Sequence, residues 1–137
     1  MRIAVRWLLG MLLAGGLTQA LADTLDDVKA HGALRCGVNG AVPGLSFKSE
    51  SGSWSGLDVD FCRAVAAAVL GDKEKVEFVP VGFEDRMRAL AEGRIDLLAR
   101  NTTWTLSRDL GHGMTFAGVL YHDGQGFMVP RAGNLMA

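Results

Sequence analysis

The sequence predicts an α/β fold in which helices cover a mainly parallel sheet. Three observations carry that expectation. Short apolar runs of strand length occur at Ala33–Asn39, Val76–Val81 and Ile95–Ala99. Stretches with helical periodicity separate them, at Asp58–Leu70 and Glu84–Glu92. Glycines stand at the joints, with Gly32, Gly71 and Gly93 each closing a helical pattern. Strands alternating with helices of this length are the pattern of β-α-β units.

Met1–Ala22 stands apart from that fold. Arg2 and Arg6 precede an apolar run from Trp7 through Leu17, and Ala20-Leu21-Ala22 follows. These are the charged, apolar and small-residue parts of a secretory signal peptide, which places the mature start near Asp23. A membrane anchor fits less well, because Gly10, Gly15, Gly16, Thr18 and Gln19 interrupt a run already short of the ~20 residues needed to span.

The mature chain then opens with a short helix, Leu25–His31. Thr24 is read as its N-cap, Asp26 and Asp27 suit its positive end, and Gly32 ends it. Ala33–Asn39 is a buried strand running into a loop at Gly40–Gly44, and Ser49–Ser53 is a turn. Asp58 caps the next helix, whose stripe is Val59, Cys62, Ala66, Val69 and Leu70, widened by Phe61, Val65 and Ala68. So broad an apolar face belongs against a sheet. Val76–Val81 alternates as a strand does, with Pro80 placing its end or marking an edge. The helix Glu84–Glu92 follows, with a stripe of Phe83, Met87, Leu90 and Ala91, and then the strand Ile95–Ala99. Met114–Tyr121 and Gln125–Val129 read as further extended pieces.

Composition excludes several classes. The 137 residues are 49% apolar, with 14 Lys+Arg against 15 Asp+Glu and a net charge of −1, and no basic run is present. Nucleic-acid binding has no electrostatic basis here. The 18 glycines are scattered and prolines number only 3, which fits a folded core rather than a low-complexity chain. His31, His112 and His122 lack the spacing of metal ligands or of a nucleophile's partner, no G-x-S-x-G elbow occurs, and no cofactor is indicated. Glu84 and Asp85 are adjacent, so on a helix they diverge instead of forming an acid/base pair. Cys36 and Cys62 lie 26 positions apart without C-x-x-C spacing. In an exported chain this pattern is compatible with a structural disulfide and equally with two buried thiols.

Ligands of parallel α/β sheets sit outside the carboxyl ends of the strands. Here those ends carry Asn39–Phe47, Gly82-Phe83 and Arg100–Arg108. The last loop offers the Asn101 amide, hydroxyls at Thr102, Thr103, Thr105 and Ser107, and Arg108, whose planar fork suits a carboxylate. Two readings stand at this point: a binding loop for a small carboxylate, or a polar turn in which Thr and Ser cap a helix and Arg108 pairs with Asp109.

Gly56-Leu57-Asp58-Val59-Asp60-Phe61, with Val65, Ala66 and Val69 after it, resembles the signature of bacterial extracellular solute-binding proteins, family 3. The runs GLDVDFCRAVAAAVLGD, RNTTWTLSRD and YHDGQGFMV resemble the general L-amino-acid-binding members that serve polar amino-acid ABC importers. The resemblance covers essentially all of the mature chain. It implies the first lobe of a type II periplasmic-binding-protein fold, with helices on both faces of a mainly parallel sheet. Domains follow as a signal peptide at 1–22, an N-terminal lobe at 23–129 and a truncated crossover tail at 130–137, with the second lobe missing. A periplasmic monomer is implied, with an L-amino acid as ligand and an ABC permease in the inner membrane as partner. Site residues carry over as Arg108 for the α-carboxylate, Thr103 and Asn101 hydrogen-bonding the same amino-acid group, and Phe83 as an apolar wall over the ligand side chain.

The sequence departs from the pattern in two places. Many relatives have an aromatic after the first strand, but Asn39-Gly40-Ala41-Val42-Pro43 has none, and Phe47 is a weak substitute. The second lobe, which typically supplies a carboxylate for the ligand ammonium, is not encoded before Ala137. Affinity is then expected to fall far below that of a closed relative. Two alternatives accompany the transport reading: a truncated remnant without binding activity, and a periplasmic dehydratase-like enzyme on the same fold.

Overall fold

The computed structural model describes residues 23–111 and 114–128. The segments read from sequence as a signal peptide (1–22) and a crossover tail (130–137), together with His112 and Val129, lie outside the described residues. The chain divides into two compact units, one ending at Thr102 and the other beginning at Thr103.

In the first unit, helix α1 spans Thr24–His31. Its N-cap is Asp23 and not Thr24: the Asp23 carboxylate accepts from the Leu25 N–H, and its carbonyl accepts from Asp26 and Asp27. A carboxylate at this position satisfies an orphan amide and meets the positive helix end at once. Gly32, at φ 81°, closes the helix. Strand β1 follows at Leu34–Val38.

Three short strands come next, β2 (Ala41–Val42), β3 (Ser46–Lys48) and β4 (Trp54–Ser55). They form an antiparallel sheet in the order β2-β3-β4, where the sequence was expected to be loop and turn. Strands of two or three residues are too short to show an alternating pattern, so nothing in the hydropathy marks them.

Helix α2 spans Leu57–Leu70. Its N-cap is Gly56, not Asp58. The amides of Leu57 and Asp58 are taken by the carbonyls of Gly44 and Leu45, at 3.0 and 2.9 Å. Gly56 sits at φ 115°, and a Cβ there would lie 2.3 Å from the Leu45 carbonyl oxygen. Only glycine permits that approach. Asp58 thereby falls inside the first turn and is buried, at 1% exposure. Val59, Cys62 and Ala66 are buried as the stripe predicts, with Val69 and Leu70 partly covered.

Strand β5 (Val76–Pro80) leads to helix α3 (Arg86–Ala91) and strand β6 (Leu97–Leu98). Helix α3 is shorter than predicted, and its inward face is turned. Arg86 and Ala89 are buried, whereas Phe83 and Ala91 are exposed. The three strands form a parallel sheet in the order β5-β1-β6, so β5, with Pro80 at its end, is an edge strand among the described residues.

Alternation along β1 distributes the core onto both sheet faces. Leu34, Cys36 and Val38 meet Val28 of α1 and Cys62 and Ala66 of α2. On the opposite face Val79, Val81, Ile95 and Leu98 pack with Ala89 and Leu90 of α3. Gly37 of β1 lies on this second face, and a Cβ on it would come 2.5 Å from Ile95 Cδ1. Cys36 and Cys62, both fully buried, are joined by a disulfide with their Cα atoms 6.2 Å apart, tying the central strand to its covering helix. At the amino end of the sheet, Asp96 accepts from the Arg35 backbone amide at 2.8 Å and from two nitrogens of its guanidinium.

In the second unit, helix α4 spans Leu106–Gly111. Met114–Tyr121 and Gln125–Met128 are not strands; no ladder pairs them among the described residues. Trp104 stacks on Phe116 with ring centroids 5.1 Å apart and planes 11° from parallel.

Candidate functional site

Parallel register brings the carboxyl ends of β1, β5 and β6 to one edge, with Val38 opposite Pro80 and Gly37 opposite Leu98. The residues that leave this edge are Asn39-Gly40, Val81-Gly82-Phe83 and Ala99–Thr102. Backbone bonds hold the exits in register, from Val81 N–H to the Val38 carbonyl at 2.9 Å and from Ala99 N–H to the Gly37 carbonyl at 3.0 Å.

Phe83 projects from the second exit and is 62% exposed. The buried Arg86 guanidinium lies against the ring, with Cζ 4.3 Å from its centroid. A cation on one face leaves the ring held in place. The sequence reading missed Arg86 because it assigned the inward stripe to apolar residues. The i, i+3 spacing of Phe83 and Arg86 was the available signal. Asn101, on the third exit, is exposed.

Beneath the first and third exits lies a polar group that the sequence reading also missed. Ser46 Oγ, fully buried, accepts from the amides of Asn39 at 3.0 Å and Gly40 at 3.4 Å. The buried Asp58 carboxylate is its charged neighbour and interacts with it. Burial pushes the Asp58 carboxyl above the usual carboxylate range, while Ser46 and the charge of Arg100 draw it back. Arg100, itself buried, donates from Nε to the Val81 carbonyl at 2.9 Å.

Within the second unit the structure brings Thr103 and Arg108 together. Arg108 Nη1 donates to the Thr103 carbonyl at 2.7 Å. Thr105 precedes α4 and caps it, its carbonyl accepting from Arg108 and Asp109 at 3.1 and 3.0 Å and its Oγ1 from Arg108 N–H at 3.4 Å. The capping half of the turn reading is therefore present. The ion pair with Asp109 is not among the described contacts, and the Arg108 side chain reaches back to Thr103.

The remaining candidates have structural partners. Trp54 packs on Phe78 at 5.2 Å beside the disulfide cluster. Phe47 pairs across both neighbouring strands with Ala41 and Ser55 and is 37% exposed. Asp85 accepts from Arg88 at 2.6 Å and from Arg94 at 2.9 Å, and these guanidinium groups hold its carboxyl below the usual range. Among the described residues, no three His, Cys, Asp or Glu side chains converge as a metal site. No helix among them is long and apolar enough to cross a membrane.

Comparison with known proteins places these features in a family. Residues 34–135 match bacterial extracellular solute-binding proteins, family 3. The chain is 51% identical over 124 residues to the general L-amino acid-binding periplasmic protein AapJ of Rhizobium johnstonii, covering 90% of this chain and 36% of that protein. It is likewise 51% identical over 124 residues to the glutamate/glutamine/aspartate/asparagine-binding protein BztA of Rhodobacter capsulatus, at the same two coverages. Among solved structures, an ABC transporter periplasmic binding protein from Brucella ovis with glutathione bound superposes with a TM-score of 0.71 and 54% identity, over 73% of this chain and 31% of that one. A more distant relative is an enzyme, the cyclohexadienyl dehydratase of Pseudomonas aeruginosa, 33% identical over 97 residues, which are 71% of this chain and 35% of that protein. The chain thus spans about a third of the length of the relatives it matches. With the parallel sheet, its two helical layers and the match over residues 34–135, the chain belongs to the bacterial extracellular solute-binding proteins, family 3, and carries part of their type II periplasmic-binding-protein fold.

Proposed function

We propose that this chain belongs to the periplasmic substrate-binding component of an amino-acid ABC importer and grips the α-carboxylate of an L-amino acid through Arg108. The observation that carries the reading is the 51% identity to a general L-amino acid-binding protein over 90% of the chain. The geometry of Arg108 agrees with it. One edge of its fork is fixed by the Thr103 carbonyl, which limits the rotamers the side chain must lose when a carboxylate docks. Thr103 and Asn101 add hydrogen bonds to the amino-acid group, and the outer face of Phe83 covers the ligand side chain.

The ligands named for the relatives share one chemistry. Free amino acids and the γ-glutamyl end of glutathione both present an α-carboxylate beside an α-ammonium. Recognition of that group, with a permissive side-chain pocket, accommodates both. Export by the 1–22 signal, a lobe at 23–129 and delivery as a monomer to an inner-membrane permease complete the proposal. A binding role is favoured over acid/base chemistry because Asp85, the carboxylate beside Phe83 and Glu84, is committed to Arg88 and Arg94.

Calorimetric titration of the folded chain with L-glutamine tests the assignment. Arg108→Ala is expected to weaken binding by about 10- to 100-fold, the worth of a hydrogen-bonded charge. Lys48→Ala, which removes an exposed cation over Trp54, is expected to leave it unchanged. Equal binding by wild type and Arg108→Ala would refute the assignment.

A further inference from the structure

We propose that Ser46 and Asp58 are positioning residues for the first strand-end loop, holding the Asn39 and Gly40 amides in the arrangement a ligand meets. The link to a ligand rests on the amino-acid-binding reading; the hold on the loop does not.

Hydrogen-bond capacity gives the argument. A serine hydroxyl has one donor and two acceptor sites. Ser46 uses both acceptor sites on the amides of Asn39 and Gly40. That arrangement requires its proton to point elsewhere, and an ionised carboxylate, which only accepts, fixes the direction. Asp58 is placed to do this from the first turn of α2, where it is 1% exposed and lies inside the helix rather than at its cap. Asp58 Oδ2 has no hydrogen-bond partner among the described residues, and Ser46 and then the charge of Arg100 offset part of the cost of its burial. Through the Arg100 bond to the Val81 carbonyl, the same charge reaches the exit that carries Phe83.

Amide hydrogen exchange on the 137-residue chain tests the inference. Ser46→Ala is expected to speed exchange at Asn39 and Gly40 by about tenfold or less, the worth of one hydrogen bond, while Val38 and Val59 keep their protection. Asp58→Leu is expected to do the same. Asp58→Asn keeps an acceptor oxygen for the Ser46 hydroxyl and is expected to preserve protection at both amides. Where Asp58→Leu does not fold, Ser46→Ala decides. Unchanged exchange at Asn39 and Gly40 in Ser46→Ala, or a loss of protection spread evenly over Val38 and Val59, overturns the positioning role. L-glutamine titration of Ser46→Ala reads the ligand link: affinity falls about 2- to 10-fold if the loop faces ligand, and unchanged affinity alongside faster exchange overturns that link. If the wild-type chain binds no amino acid, the functional reading fails, and the exchange result still decides the hold on the loop.

Discussion

Asp58 shows how much a single residue's meaning depends on its neighbours. An acidic residue at the start of an amphipathic stretch reads as an N-cap, and the sequence offers no local sign to the contrary. The deciding fact is that Gly56 alone tolerates contact with the Leu45 carbonyl, which shifts the cap upstream and turns Asp58 inward. Because burial raises its pKa above the unfolded value of about 3.9, the folded state holds the Asp58 proton more tightly than the unfolded state. Its contribution to stability is therefore present below the unfolded value and lost as pH rises through the raised one. Urea unfolding from pH 7 to pH 4 is expected to show wild type gaining stability relative to Asp58→Asn as pH falls. A relative loss over that window would mean that the carboxylate is stabilised in its charged form. Arg108 contrasts with Asp58: its residue type in a strand-end loop left two readings open, and its contact with the Thr103 carbonyl was not legible in the sequence.

At the scale of elements, helix α2 and strand β1 form the joint on which the first unit depends. The stripe Val59, Cys62 and Ala66 was legible from its spacing, and the structure closes it onto Cys36 by a covalent bond. Unfolding with and without reductant, at matched urea concentrations, is expected to show a loss of about 2 to 4 kcal/mol on opening Cys36–Cys62. An unchanged midpoint would show that packing alone holds the joint. On the other sheet face, Gly37→Ala is expected to cost about 1 to 3 kcal/mol in chemical denaturation, since its new methyl meets the end of the buried Ile95 side chain, which must shift within a packed cluster. Neutral behaviour would show that the Ile95 side chain gives way without loss of packing. Helix α3 also explains a misreading. Its periodicity was visible, but the burial of Arg86 against Phe83 rotates the inward face away from the apolar stripe. The β2-β3-β4 sheet was invisible for a different reason: its pairing depends on backbone contacts between residues 40 and 55 that no side-chain pattern records.

At the scale of the whole molecule, the chain displays one set of strand-end loops and about a third of the length of its relatives. Its fold class was legible because alternating strands and helices need only local periodicity. The roles proposed for Asn101, Thr103, Arg108 and Phe83 rest on resemblance, since nothing in polar spacing distinguishes a carboxylate-binding loop from a capped turn. Contact of Arg108 with an α-carboxylate is read by following the Arg108 Nε–H resonance during titration of the isotopically labelled chain. With L-glutamine a saturable shift is expected at Arg108 and Thr103, and with the α-carboxamide of glutamine, which lacks the carboxylate, no such shift. Equal shifts with both compounds, or none with L-glutamine from a folded chain, would contradict that contact.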